Sequence, residues 1–197
     1  MDWTGIKVST APTIEPVTVA ELKAYMAMDS SVTAFDTMLA GFISACRDAI
    51  EKHSGRTFIS TSFEMYLDSF PACGFIELIH PPVQSVTSIY YNQESDGVLT
   101  LLASSKYLVD TVSLYPRIEP AYDESWPDTR AMINAVKVTY LAGYGATAAH
   151  VPQNIKSCIM AIAADLFEHR ESNVEINLTE NRTYRFLLNS FSIPGVA

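Results

Sequence analysis

Apolar residues recur with two different periods along the chain, and the change of period divides it. Phe35, Met38, Leu39, Phe42, Ile43, Cys46, Ala49 and Ile50 follow an i, i+3, i+4, i+7 rhythm, which gathers them on one face of a helix. Thr33 is placed to cap its start, and Asp36 lies in the first turn, where the helix dipole favours negative charge. His53 in the last turn and Gly55 just beyond mark its end. A shorter helix over 19–28 precedes it. Its start carries a capping box, Thr18 with Glu21, and a hydrophobic staple, Val17 with Leu22. A third helix opens after Pro152 and carries Ile155, Cys158, Ile159, Ile162, Leu166 and Phe167 as its stripe. A short fourth helix is expected over 180–188, capped by Thr179.

Between the second and third helices the period falls to two. Phe63, Met65 and Leu67 alternate with Glu64, Tyr66 and Asp68, the pattern of a half-buried strand. Further strands are expected over 75–79, 83–91, 98–102, 107–109 and 135–141. Pro81-Pro82, Ser95-Asp96-Gly97 and Trp126-Pro127-Asp128 punctuate them. Short strands with short loops favour an antiparallel sheet over parallel crossovers. The proline-rich stretch 116–130 reads as a long loop. Residues 1–15, broken by Ser9, Thr10, Pro12 and Thr13, read as an extended arm. The expectation is therefore an α+β chain. Residues 16–56 and 151–190 form a mainly helical core of about four helices, from which an antiparallel β subdomain, inserted between the second and third helices over 57–150, projects. A tail follows over 191–197. No internal repeat or low-complexity tract is present.

Composition narrows the function classes. The chain has 197 residues, 48% of them hydrophobic and 18% charged, which is enough apolar surface for a core. No uncharged apolar run approaches the ~18 residues of a membrane span. Met1-Asp2-Trp3-Thr4 lacks the basic and apolar regions of a secretory signal. The formal charge of −9 disfavours wrapping a phosphate backbone. It is compatible with lining a passage for DNA, where like charge prevents sticking. Cys46, Cys73 and Cys158 are scattered, with no paired spacing, as in a reducing compartment. Asn177 and Asn181 match the glycosylation pattern by chance.

Candidate chemistry is thin. His53, His80, His150 and His169 form no metal spacing. His53 reads as a helix-dipole partner, and His80 and His150 as exposed loop residues. Ser60, Ser62 and Ser69 sit outside any nucleophile elbow, and a triad from distant residues is a matter of geometry that the sequence leaves open. Gly143-Tyr144-Gly145-Ala146 lacks the third glycine of a dinucleotide loop and the lysine of a phosphate loop, so it reads as a turn. No catalytic residue, cofactor or metal site is expected. Glu168-His169-Arg170-Glu171 cannot converge on one helix face; it reads as a solvated helix end or an intersubunit ion-pair patch. Tyr90-Tyr91, Tyr115, Tyr122 and Trp126 suit sheet packing or a protein contact surface.

The order of motifs resembles the head-tail connector (adaptor, head-completion) proteins of long-tailed bacteriophages and prophages. The motifs run from Pro16-Val17-Thr18-Val19-Ala20-Glu21-Leu22-Lys23 to Ala45-Cys46-Arg47-Asp48-Ala49-Ile50-Glu51-Lys52-His53-Ser54-Gly55-Arg56 and Phe58-Ile59. Pro81-Pro82-Val83-Gln84-Ser85-Val86 and Val138-Thr139-Tyr140-Leu141-Ala142-Gly143-Tyr144-Gly145 follow. Val151-Pro152 and a helix closing on Leu166-Phe167-Glu168-His169-Arg170-Glu171 complete the series. The resemblance spans residues 15–190. Arg185-Phe186-Leu187-Leu188 fits the family's closing segment, whereas Asn189-Ser190-Phe191-Ser192 departs from its basic tail.

The resemblance implies a non-enzymatic virion protein. Such proteins form a ring, commonly a dodecamer, under the portal after viral genome packaging. The ring extends the double-stranded DNA channel without specific binding and docks the tail or a stopper protein. The implied place is the virion neck, with the host cytoplasm during assembly. A ring needs two different patches that meet. Glu168, His169, Arg170, Glu171, Tyr90 and Tyr91 are the expected intersubunit residues. Arg185, Phe186, Leu187, Leu188 and Phe191 are expected at the portal. Asp36, Asp48, Glu51 and Asp165 are expected on the channel or between subunits. Alternatives are another neck or tail-completion protein, a hydrolase on the β scaffold, and a monomeric module binding sugar or peptide.

Overall fold

In a computed structural model of the chain, residues 3–72, 74–169 and 182–193 are described. Their elements are β1 (Trp3–Thr10), α1 (Val19–Tyr25), α2 (Asp36–Ser54), β2 (Thr61–Leu67), β3 (Ile76–Glu77), β4 (Val83–Asn92) and β5 (Leu99–Leu101). There follow β6 (Tyr107–Asp110), β7 (Arg117–Pro120), β8 (Val136–Ala142), α3 (Gln153–Glu168) and α4 (Arg182–Asn189). The fold is α+β, and every strand pairing is antiparallel. The chain divides into a β unit, up to Pro12 and Ser60–Tyr144, and a helical unit, Thr13–Ile59 and from Gly145 on.

In the helical unit, α1 starts on the expected capping box. The Thr18 hydroxyl accepts from the Glu21 amide at 3.1 Å, and the Glu21 carboxylate accepts from the Thr18 amide at 2.7 Å. Lys23 of α1 is buried, with Nζ 2.5 Å from Asp36 Oδ1. A buried ammonium needs such a counter-charge. Thr33 does not cap α2. Its carbonyl accepts from the Asp36 amide in a turn, and the residue before the helix is Phe35, whose side chain makes no cap hydrogen bond. Gly55 ends α2 in the left-handed region, φ 69°, where a side chain would be strained.

Leu39, Ile43, Cys46 and Ile50 of α2 are buried, as are Ile155, Cys158, Ile159, Ala163 and Ala164 of α3. The Phe35 ring meets Phe167 edge-on at 5.4 Å, and Cys46 lies near Cys158. These pairs run in opposite sense along the chain, so α2 and α3 are antiparallel. Ile162 and Leu166, expected on the buried stripe, are only half-buried. The small Ala163 and Ala164 are buried instead. Pro152 stands one residue before α3 begins.

Residues 191–193, the described start of the expected tail, dock on the helical unit. Phe191 and Ile193 are buried. The Ile193 amide donates to Ser54 O at 3.1 Å, and Arg56 Nε donates to Phe191 O at 2.6 Å. The expected cap Thr179 and the residues Cys73, Arg170, Glu171, Asn177 and Asn181 lie outside the described residues.

The β unit holds a five-stranded sheet, order β1-β2-β8-β4-β5, and a three-stranded sheet, order β3-β7-β6. Their core includes Phe63, Met65, Leu67, Ile89, Ile118, Val136, Val138 and Tyr140. Residues 3–10 are extended, as expected, yet they are not a free arm. They pair along β2, with Ile6 opposite Met65 and Val8 opposite Phe63. The stretch expected as a long loop contains β7. Pro116 precedes it, Pro120 is its last residue, and its one aliphatic side chain, Ile118, is fully buried, so periodicity had nothing to register. His80 is not an exposed loop residue. Its ring stacks on Phe63 at 5.0 Å, and burial pushes its pKa down.

Met65 is fully buried at the centre of this core. Met65→Ala should cost about 3 kcal/mol of stability, read by chemical denaturation. A loss below about 1 kcal/mol would show that the site collapses without a cavity.

Candidate functional site

The described residues present depressions and organised surfaces. No three His, Cys, Asp or Glu side chains among them converge as a metal set. No described helix is long and apolar enough to cross a membrane. A depression of about 330 Å³ between Ile14, Val17, Ala40 and Ile43 is almost wholly apolar. A second, of about 360 Å³, is lined by Phe75, Glu77, Tyr115 and Arg117. Neither brings a serine or cysteine to a histidine. Burial pushes the Cys46 and Cys158 thiols up to about 11, so both remain neutral and act as small apolar residues.

The surfaces are more informative. Glu168 and His169 are exposed at the end of α3. His169 Nδ1 stands 3.2 Å from Asp165 Oδ1 and 3.1 Å from its carbonyl oxygen. Tyr90 and Tyr91 are neighbours on β4 and therefore face opposite ways. Tyr91, half-buried, packs on the core beside Phe70. Tyr90 faces the open side. In α4, Phe186 is 75% exposed while Leu187 and Leu188 are half-buried. The side chain of Arg185 lies outside the described residues. Phe191, expected as a contact with another protein, is instead part of the helical unit's interior, edge-on to Phe58 at 6.3 Å.

The four carboxylates expected on the channel or between subunits each have a partner within the chain. Asp36 pairs with Lys23, Asp48 Oδ2 with Lys52 at 2.7 Å, and Asp165 with His169. Asp36 and Asp48 are about 120° apart around α2. Glu51 points inward. It accepts from the Phe58 amide at 2.7 Å and from Arg47 Nη1 at 2.6 Å, and Arg47 Nε reaches Glu15 at 2.7 Å. Burial pushes the Glu51 carboxyl up, with the Phe58 amide and Arg47 pulling it part of the way back. Glu51, half-buried, thus fastens the start of the segment leaving α2.

Register assembles a row that the sequence did not single out. On the open face of the five-stranded sheet, Gly5, Tyr66, Lys137, Tyr90 and Leu101 stand opposite one another on successive strands. Lys7, Glu64 and Thr139 form the next row. Lys7 Nζ is 2.8 Å and Lys137 Nζ 3.7 Å from Glu64, and the Tyr66 hydroxyl donates to Glu64 at 2.7 Å. Lys7 lies over the Tyr66 ring and Lys137 over the Tyr90 ring. Strand alternation marks Glu64 and Tyr66 as outward, but only the β2–β8–β4 register places Lys137 between Tyr66 and Tyr90.

No family model matches the chain, and no curated protein matches it. Solved structures do. It is similar to a chain of the virion of a native gene transfer agent (GTA) particle, with a TM-score of 0.79 and 20% identity, covering 98% of this chain and 100% of that chain. It is also similar to chains of GTA necks. One is from an empty particle computed with C6 symmetry, with TM-score 0.75, 20% identity, and 98% and 100% coverage. Another is from a native particle computed with C12 symmetry, with TM-score 0.73, 21% identity, and the same coverage. At this identity the likeness shows a shared fold.

The Glu64 carboxyl is held below its ordinary value chiefly by the Lys7 hydrogen bond, then by the Tyr66 hydroxyl. A depressed carboxyl adds stability above its unfolded pKa and loses it as pH falls through the folded value. The stability gap between wild type and Glu64→Gln should therefore be present at about pH 6 and close as pH falls towards about 3, at under about 1 kcal/mol. Thermal melts across that range read it; a gap that does not change with pH contradicts the assignment.

Proposed function

We propose that this chain is a structural head-tail connector (adaptor) subunit in the neck of a tailed phage or phage-like particle. Copies form a ring, of twelve in the simplest case, under the portal. The ring extends the channel through which double-stranded DNA passes and presents a platform for a stopper or tail protein. The subunit assembles in the host cytoplasm and resides in the virion neck. Its work is structural, not enzymatic.

The observation that carries this reading is the extent of the structural likeness. Both units, in the same order, match over 98% of this chain and the whole of a GTA virion chain. A shared domain alone would leave residues over on one side. The neighbour neck computed with C12 symmetry supports the twelvefold ring, and the one computed with C6 symmetry is compatible with it.

Within this reading the intersubunit contact draws on Tyr90 and on the charged end of α3, Glu168 and His169 with Arg170 and Glu171. The portal contact draws on α4, where Phe186 is the exposed aromatic. Asp48, 56% exposed, is the carboxylate of α2 best placed for a channel or subunit face. The net charge of −9 keeps the passing duplex from adhering. A neighbouring neck or tail-completion protein is the second reading, favoured by the same fold likeness.

A tagged chain, purified from a lysate of its source and read by mass spectrometry, tests both. Recovery of a portal together with a stopper or tail protein is expected for a connector. Recovery of tail proteins without a portal favours the second reading, and recovery of neither from folded protein sinks both. Arg170→Glu should weaken ring assembly by about tenfold at an unchanged melting temperature. Normal assembly by that variant would remove the α3 end from the interface.

A further inference from the structure

The hairpin of β6 and β7 closes through residues 111–116, beyond the Asp110–Arg117 pair of its ladder. Tips of this kind normally carry glycine, asparagine or aspartate. This one carries Thr111-Val112-Ser113-Leu114-Tyr115-Pro116. Val112 is 94% exposed and Leu114 43%. The tip is nevertheless held in one shape. Asp110 Oδ1 accepts from the Val112 amide at 3.0 Å and from the Ser113 amide at 3.1 Å, and the Ser113 hydroxyl donates to Asp110 Oδ2 at 2.5 Å. Pro116 is buried at its far end. An ordered apolar knob loses little conformational freedom when another surface covers it.

The helical unit carries a hollow of the matching kind. The depression of about 330 Å³ is lined by the buried Val17 and Ile43 and by the exposed Ile14 and Ala40. A cavity of about 150 Å³ accommodates benzene, so this volume takes the side chains of Val112 and Leu114 together. The charges at the two places are opposite. Arg117, next after the tip, is 49% exposed. Glu15, at the depression, is 33% exposed.

We infer that the 111–115 tip of one copy seats in the Ile14–Val17–Ala40–Ile43 hollow of a second copy, with Arg117 brought to Glu15 at its rim. This rests on the ring reading above and supplies that ring with two unlike patches, as a heterologous contact requires. Burial of Val112 and Leu114 supplies the attachment, and the Arg117–Glu15 pair sets the facing of the knob.

The full chain tests it, both purified at high concentration and in the complex recovered with the tagged form. Val112→Cys and Ala40→Cys are placed on separate chains and co-expressed, so a disulfide between positions 112 and 40 always joins two copies. Oxidation with copper phenanthroline should form that link, mapped by mass spectrometry. Leu108→Cys, exposed on β6 but away from the tip, should not link to position 40 and controls for chance collision. Val112→Asp should weaken association of copies by about tenfold or more, because it buries an unpaired carboxylate, while the isolated subunit melts as before. Ala40→Phe fills the hollow and should do the same, whereas Val112→Ile should leave association unchanged. Several copies counted by native mass spectrometry without the 112–40 link overturn the proposal, as does normal association of Val112→Asp and Ala40→Phe. Both outcomes leave the ring reading standing. A single copy in both samples removes the ring reading together with the proposal.

Discussion

The pairing of β2 with β8 is the constraint on which both units depend. These strands form the middle of the five-stranded sheet, and their residues Met65, Leu67, Val136 and Val138 fill its core. They are also the two ends of the insertion. Thr61 stands opposite Ala142 in the ladder, so forming the sheet brings the insertion's start and finish within about 5 Å. A helical unit built from Thr13–Ile59 and from Gly145 on would otherwise close a long flexible loop at an entropic cost. A folded insertion whose ends already lie side by side removes most of that cost.

What the helical unit then needs is an apolar seam and a place for its charges. The antiparallel α2–α3 contact supplies the seam, with the Phe35–Phe167 pair towards one end and the neutral Cys46 and Cys158 near each other. The charges go inward in pairs. Lys23 neutralises Asp36, and Arg47 is held between Glu15 and Glu51. Glu51 also takes the Phe58 amide, which ties the segment leaving α2 back onto that helix. Such pairs offset the desolvation of their partners more than they add net stability. Their effect is to fix where the chain enters and leaves the helices.

Neither of the two depressions brings a serine or cysteine to a histidine, and the organised features are surfaces: a lysine–tyrosine sheet face, an open strand edge and an exposed aromatic on α4. Organised features on the surface of the described residues suit assembly. The proposed function follows from this and from the fold shared with neck proteins over the whole chain.

Local signals in the sequence determined the helices and most strands. The capping box at Thr18, the α2 stripe with Gly55, and the alternation of β2 depend on neighbours within a few residues, so they are readable without tertiary context. They also determined the α+β order, and the absence of motif chemistry. Tertiary structure decided the rest. β1 and β7 carry few apolar residues and exist because β2, β3 and β6 offer them backbone partners. Tyr90 and Tyr91 looked alike in sequence and went to opposite sides of the sheet. Phe191 and Glu51 looked like surface residues and were taken inward by Phe58 and Arg47. The row of Tyr66, Lys137 and Tyr90 joins positions far apart along the chain. Strand register sets such proximity, and register is a property of pairing between strands, which no single segment contains.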